Sequence, residues 1–296
     1  MRPMVWGSES WVLSGYPERP SVLCDGPRRG MTLNELVCVE KEALVGRGVY
    51  ARCGNEFPLL VKLLDVRIPL SIQVHPSEEF AMGREGRHGK TEMWYVLDAD
   101  EGAELISGFA ASIDGDEFER RVSDGSIADV VARHRIAKGD VFHIPPGRIH
   151  ALPGGSRVAE IQQTSDTTYR IWDYGRPGLD GRLRPLHTAL AREALDYRVL
   201  DSYRTPYTEA AGSEVPLVDC DCFTTSLLEL EAPFRKNLET LDSFLVVLCL
   251  EGEVSVRSGA SEMPLGEGGC ILVPASAAAV EFNPGQSGVK LLLSHL

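Results

Sequence analysis

The 296 residues carry 43 acidic and 30 basic side chains, a formal charge of −13, and 43% are hydrophobic, enough for one large or two modest cores. This charge argues against a nucleic-acid groove or an anionic membrane surface, since both need a cationic footprint, and an anionic ligand would need positive charge supplied locally. No apolar run reaches the roughly 18 residues that cross a bilayer; the longest is 244–250, and Met1-Arg2-Pro3-Met4 leads into Trp6 and Glu9 instead of a signal-peptide core.

Seven cysteines stand at 24, 38, 53, 220, 222, 249 and 270, an odd number with no CxxC pair. Neither a disulfide framework nor a thiolate zinc finger is indicated, and a reducing cytoplasm is the expected compartment.

Along the chain, Thr32 and Glu35 form a capping box ahead of Leu33, Leu36 and Val37, which predicts a first helical island. Short strands punctuated by Gly and Pro follow at 57–64, 70–75, 92–97, 141–145, 158–163 and 169–174. Regular short strands with turn signals predict an all-β-dominated sandwich or barrel. A second helical island is expected where Ser126 and Asp129 bracket Ile127, ahead of Val130 and Val131, closing on Arg133, His134 and Arg135 as cations suited to a helix C-terminus.

A segment rich in Thr, Pro, Gly and Ser at 201–215 precedes a block from Leu217 onward. Its Pro264-Leu265-Gly266 and Ile271-Leu272-Val273-Pro274 echo the earlier Lys138-Gly139-Asp140 and Ile144-Pro145-Pro146-Gly147, which suggests two copies of one small β-barrel. The expected division is 1–205, bearing the metal site, and 206–296, a second barrel without one, whose only histidine is His295.

The chemistry concentrates in the first part. On a strand, alternate side chains share a face with a repeat of roughly 6.6 Å. Ser71, Gln73 and His75 therefore point one way, and Leu70, Ile72 and Val74 the other. Such a pair is either the solvated face of a half-buried sheet or the start of a metal chelate. Lys90 and Glu92 share a face in the same manner, and the run Gly139 to His150 offers His143 within a strand and His150 after a Pro-Pro-Gly turn. Amide, imidazole and carboxylate from three strands make the donor pattern of a metal in a barrel mouth.

The segments PLSIQVHP, GKTEMWYVL, GDVFHIPPGRIHAL and TSDTTYRIWDYGR, in this order, resemble those of type I mannose-6-phosphate isomerases in their short bacterial form, over about 26–296. The resemblance implies tandem cupin (jelly-roll) β-barrels with small helical insertions, one near 115–137. It implies one Zn²⁺ per chain on Gln73, His75, Glu92 and His150, a sugar-phosphate substrate and no nucleic-acid or membrane partner. An N/O ligand set without thiolate, with room for water or substrate, suits zinc acting as a Lewis acid. The family pattern sets the ligand after the turn, favouring His150 over His143. It also makes Arg170 a catalytic arginine, Lys90 a catalytic and substrate-binding neighbour, and Ser71 a residue near the phosphate. Without the family, Arg170 reads equally as a sheet-face cation paired with Asp166 or Asp173.

The activity implied is interconversion of mannose 6-phosphate and fructose 6-phosphate through an enediol. For the base, zinc-bound hydroxide, Lys90 and Glu160 all stand open, while the permanently charged Arg170 suits stabilisation of the enediolate. The alternative is a non-catalytic cupin that binds sugar phosphates as a sensor or accessory protein; an iron-dependent cupin oxygenase fits less well, because such sites favour histidine-rich sets. The chain departs from the family pattern in a shortened stretch between Trp6-Gly7 and Glu9-Ser10-Trp11, and in Pro146 before His150. His88 reads as a loop residue, Cys220 and Cys222 as small packing residues, and His187 in Arg184-Pro185-Leu186-His187 carries no assigned role.

Overall fold

The computed structural model describes residues 1–85 and 88–296, with the side chain of residue 85 excluded. Strands dominate, as the turn spacing predicts, and a cupin-type β architecture is consistent with them. The chain divides into two compact units, Met1–Trp11 with Val61–Thr205, and Val12–Leu60 with Pro206–Leu296.

In the first unit, a five-stranded sheet runs in the order Tyr169–Trp172, Ile72–Val74, His150–Ala151, Glu104–Phe109, Val131–Arg135. Its alternate residues Ile72, Val74, Ile106, Ala151 and Ile171 pack with Phe118, Val122, Ile127 and Ala191 from the helical segments that cover one face. The intervening residues Arg170, Gln73, His150 and Ser107 are partners in register across four adjacent strands, so they share the opposite face. A six-stranded sheet has the order Arg2–Met4, Gly7–Ser14, Leu59–Val66, Ser156–Gln163, Glu92–Ala99, Val141–Ile144. The Trp94 ring meets the His150 ring edge-on at 5.3 Å, so the inner faces of the two sheets meet at the site.

The expected second helix is corrected by the structure. The α-helix lies earlier, at Gly115–Asp124, capped by Asp114 accepting from the Glu117 amide and buried through Phe118 and Val122. Gly125, at φ 79°, ends it in the left-handed region. Ser126–Asp129 forms only a 3₁₀ turn, and Val131–Arg135 is a strand paired with Glu104–Phe109. Arg133, His134 and Arg135 lie on an edge strand, where charged side chains discourage further pairing. The earlier capping box at Thr32 and Glu35 forms as expected, opening Leu33–Glu40.

In the second unit, Glu214–Cys220, Phe223–Leu230, Ala279–His295, Leu245–Ser258 and Ser261–Gly266 run in that order across a sheet. Phe234–Asn237 also pairs with 279–295, and Cys270–Val273 with 245–258. Residues 12–60, placed by the sequence reading with the first barrel, belong to this unit. Asp242 accepts from the amides of Arg47 and Gly48, Ala275 donates to the Leu44 carbonyl, and Phe57 packs on Phe244 with ring centroids 4.6 Å apart. These ties span distant parts of the chain and leave no mark in local composition.

Candidate metal centre and substrate cavity

Each member of the cluster is set by its strand. Gln73 and His75 extend from one strand, Glu92 opens a second, and His150 opens a third opposite Gln73. The Pro145-Pro146-Gly147 turn that carries the chain to His150 is closed by Arg148 N–H donating to the Pro145 carbonyl at 3.2 Å, and Gly147 N–H donates to the His75 carbonyl at 2.9 Å. Gly147 has φ 82°, and a Cβ there would meet the Ala194 carbonyl oxygen at 3.0 Å, so glycine is required. Pro146 thus sits in a turn bonded directly to the His75 backbone.

His75, Glu92 and His150 place ligand atoms within 4.8 Å of one another, and all three are buried. His75 Nδ1 lies 2.9 Å from the Thr167 carbonyl and His150 Nδ1 lies 2.8 Å from the Arg148 carbonyl. A carbonyl can only accept, so both imidazoles carry their proton on Nδ1 and turn an Nε2 lone pair inward. There His75 Nε2 lies 3.3 Å from Glu92 Oε2, and His150 Nε2 lies 3.4 Å from Glu92 Oε1. His75 Nε2 and Glu92 Oε1 have no hydrogen-bond partner, while Glu92 Oε2 is met from the side by Lys90 Nζ at 2.9 Å. Buried acceptors facing acceptors repel unless a cation lies between them, so this arrangement fits a metal ion.

Gln73 stands beside the cluster. Its Nε2 lies 3.2 Å from His150 Nε2, while Oε1 accepts from Ser71 Oγ at 3.2 Å. A half-turn of the amide brings Oε1 to the cluster and leaves Nε2 to donate to the Ser71 hydroxyl, which can act in either role. Burial, then Lys90 and His150, hold His75 well below the usual histidine range, and burial lowers His150 as well. Both rings are therefore neutral near pH 7, the form in which an imidazole can bind a metal.

His143 is separated from this group by strand parity. It pairs with Met93, while Glu92 pairs with Ile144, so His143 projects from the face opposite Glu92.

Beside the cluster lies a cavity of about 280 Å³ whose lining includes Ser71, Gln73, Lys90, Arg170, Lys62 and Glu160. Gly89 allows Lys90 to come close, since a Cβ at Gly89 would meet the Glu78 amide nitrogen at 2.4 Å. Lys90 Nζ lies 2.9 Å from Glu92 Oε2 and 3.6 Å from Glu160 Oε1. Burial alone would lower the Lys90 pKa, but Glu92 and Glu160 outweigh it and raise it above the ordinary lysine value. Lys62 approaches Glu160 at 3.4 Å from the other side and lies over the Trp11 ring.

Arg170 faces the cavity, with Nη1 donating to the Pro185 carbonyl at 3.0 Å and a buried Nε without a partner. Asp173 instead holds Arg184, through Nε at 2.7 Å and Nη2 at 2.6 Å, and also Arg176 at 3.0 Å. Burial, followed by repulsion from Arg184, lowers the Arg170 pKa.

Sequence reasoning did not single out Lys62, Arg184 or Asp166 as cavity-lining residues. Lys62 carried a signal, a charge within the apolar run Leu59-Leu60-Val61-Lys62-Leu63-Leu64; Arg184 carried none locally. Trp6 and Glu9 also line the cavity, from a hairpin in which Met4 pairs with Gly7, so the shortened N-terminal stretch forms part of the site wall. His88 lies outside the group, 2.8 Å from Glu78. Cys220 donates its thiol to the Phe223 carbonyl. Among the described residues, no helix is long and apolar enough to cross a membrane.

Residues 6–110 match the family model "Phosphomannose isomerase type I, catalytic domain". The chain is 34% identical to the Bacillus subtilis protein "Probable mannose-6-phosphate isomerase GmuF", over 90% of this chain and 83% of that one. It is 31% identical to the Streptococcus mutans mannose-6-phosphate isomerase, over 97% and 88%. The crystal structure of mannose 6-phosphate isomerase from Bacillus subtilis superposes with a TM-score of 0.85 at 32% identity, covering 97% of this chain and 89% of that one. With similarity extending over nearly its whole length, and a His-Glu-His cluster inside the matched fold, this chain is an isomerase and belongs to the type I phosphomannose isomerase family.

Proposed function

We propose that the chain interconverts mannose 6-phosphate and fructose 6-phosphate through an enediol, with one zinc ion held by Gln73, His75, Glu92 and His150. The observation that carries this reading is the set of buried acceptors in the cluster, two of them imidazole lone pairs aimed inward by carbonyls behind them. Bound there, zinc would supply Lewis acidity toward the oxygens on C1 and C2.

The chain's own residues account for the rest. Ser71, Arg170 and Arg184 line the cavity and give an acidic protein a local cationic wall for a phosphate. Arg170, fixed in charge, orients the substrate and stabilises negative charge on the enediolate. Lys90, ion-paired with Glu92 and Glu160, serves as a cation and proton donor. Glu160, whose carboxylate lines the cavity between Lys62 and Lys90, would accept the C2 proton of the open-chain aldose as Lys90 gives a proton to O1, and would return it to C1 as the O2 hydroxyl gives its proton back to Lys90. The odd number of cysteines without a CxxC pair suits a reducing, cytoplasmic setting.

The test is isomerisation of mannose 6-phosphate by purified protein before chelation, after chelation and after zinc is restored. Activity lost and regained supports the reading; zinc-loaded protein with no turnover on either sugar phosphate overturns it and favours a binding protein.

A further inference from the structure

Arg170 stands on an edge strand, the first in the five-stranded sheet, and among the described residues only its Gln73 side has a strand neighbour. An edge strand leaves backbone N–H and C=O groups without ladder partners. At Arg170 both are taken up by one residue. Arg170 N–H donates to His187 Nδ1 at 3.0 Å, and His187 N–H donates to the Arg170 carbonyl at 2.8 Å. The imidazole nitrogen stands in for the carbonyl of a missing strand. Two residues earlier, the Pro185 carbonyl accepts from Arg170 Nη1. Backbone and guanidinium are thus gripped at three points by one tripeptide.

A second feature makes this grip consequential. The pairing of Tyr169–Trp172 with Ile72–Val74 is irregular between Arg170 and Trp172, so the ladder gives Arg170 regular support on one side only. His187 precedes the helix Thr188–Ala194, and its side chain makes no capping bond to that helix.

We propose that His187 is the positioning residue for Arg170, its Nδ1 accepting the Arg170 amide proton so that the guanidinium is held toward the cavity. This rests on the reading that Arg170 acts on the sugar phosphate. His187 does not touch the substrate; it acts through Arg170.

The test uses two substitutions of similar polarity. Asparagine places an acceptor near the position of Nδ1, and glutamine places one near Nε2. His187→Asn should retain turnover within a few fold of the parent. His187→Gln and His187→Ala should lose about tenfold to a hundredfold in kcat, the scale of a catalytic group displaced by about 1 Å, with smaller changes in KM. Zinc content should be unchanged in all three. Equal activity of the Asn and Gln variants, or losses that simply track melting temperature, would overturn the proposal.

A readout independent of turnover is ¹⁵N NMR of the His187 imidazole, with Nδ1 unprotonated and Nε2 protonated expected in the parent protein. A protonated Nδ1 overturns the brace whatever the activity. Parent protein inactive on mannose 6-phosphate, yet showing the expected tautomer, would remove the isomerase reading and leave the brace standing.

Discussion

Lys90 Nζ lies 2.9 Å from Glu92 Oε2, and both side chains are buried. Burial pushes the Glu92 carboxyl up, but Lys90 and then His150 outweigh it and bring its pKa to about 2. Glu92 is therefore charged without a metal. Lys90→Met should destabilise the chelated protein by about 3–5 kcal/mol, the cost of stripping one partner from a buried pair. Zinc should recover much of the loss, because it supplies the missing countercharge. Denaturant unfolding with and without zinc reads both quantities. No loss in the chelated Lys90→Met protein would mean that Glu92 does not depend on Lys90.

Metal binding and turnover should separate by residue. His75→Ala and Glu92→Ala each remove a ligand and should lose zinc and activity together. Arg170→Ala removes no ligand and should keep zinc while kcat falls about 10²–10³-fold, the scale for removing one preorganised donor at developing charge. Metal analysis and steady-state kinetics on the same preparations decide it. Full activity in Arg170→Ala would remove that residue from the mechanism.

The two histidines flanking the Pro-Pro-Gly turn give a sharper contrast. His150 is fully buried in the cluster, and His143 lies on the other face of its strand. His150→Ala should lose zinc; His143→Ala should keep it and retain most of its activity. Zinc loss from His143→Ala with normal thermal stability would contradict the parity argument.

Much of this site was legible from strand parity alone. Gln73 with His75, and Lys90 with Glu92, each converge because alternate residues share a face. What parity could not reveal is which face is buried. The apolar residues Ile72 and Val74 pack beneath helical segments, while the polar face turns into the space between two sheets, so the more ordinary reading of a solvated face fails. The cations of 133–135 were misread because a helix terminus and an edge strand both favour them. No role could be assigned to Arg184 and His187 from the sequence, because their partners, Asp173 and Arg170, are reached only after a loop folds back.

Arg184 uses Nε and Nη2 on Asp173, leaving Nη1 available while it lines the cavity. The lining carries Lys62, Lys90, Arg170 and Arg184 against Glu9, Glu160 and Asp166, so the wall holds more positive than negative side chains, and Arg176 shares the Asp173 carboxylate behind it. Arg184→Gln should raise KM for mannose 6-phosphate about tenfold or more, the worth of one charge-assisted hydrogen bond. Inhibition by inorganic phosphate should weaken by a similar factor. Asp173 retains Arg176, so the variant should fold. An unchanged phosphate inhibition constant would assign Arg184 a purely structural role.

The paired imidazoles make the metal-free protein sensitive to mild acid. His75 lies well below its ordinary 6.5, through burial first and then Lys90 and His150, and His150 is lowered by burial. Between each folded value and 6.5 the unfolded chain binds more protons, so stability rises with pH and is lost as pH falls below 6.5. Glu92 follows a different window: its stabilising charge is complete above 4.5 and disappears only toward about 2. The chelated protein should therefore melt at a lower temperature at about pH 5.5 than at about pH 7.5, before any carboxylate contribution from Glu92 begins to fail. His75→Gln removes one of the titrating rings and should flatten that dependence. Zinc should be released over the same interval, because protons compete for the Nε2 lone pairs. A melting temperature that is flat from about pH 7.5 to 5.5 in the chelated parent would show that the rings accept protons in place, and would remove the basis for treating them as neutral ligands.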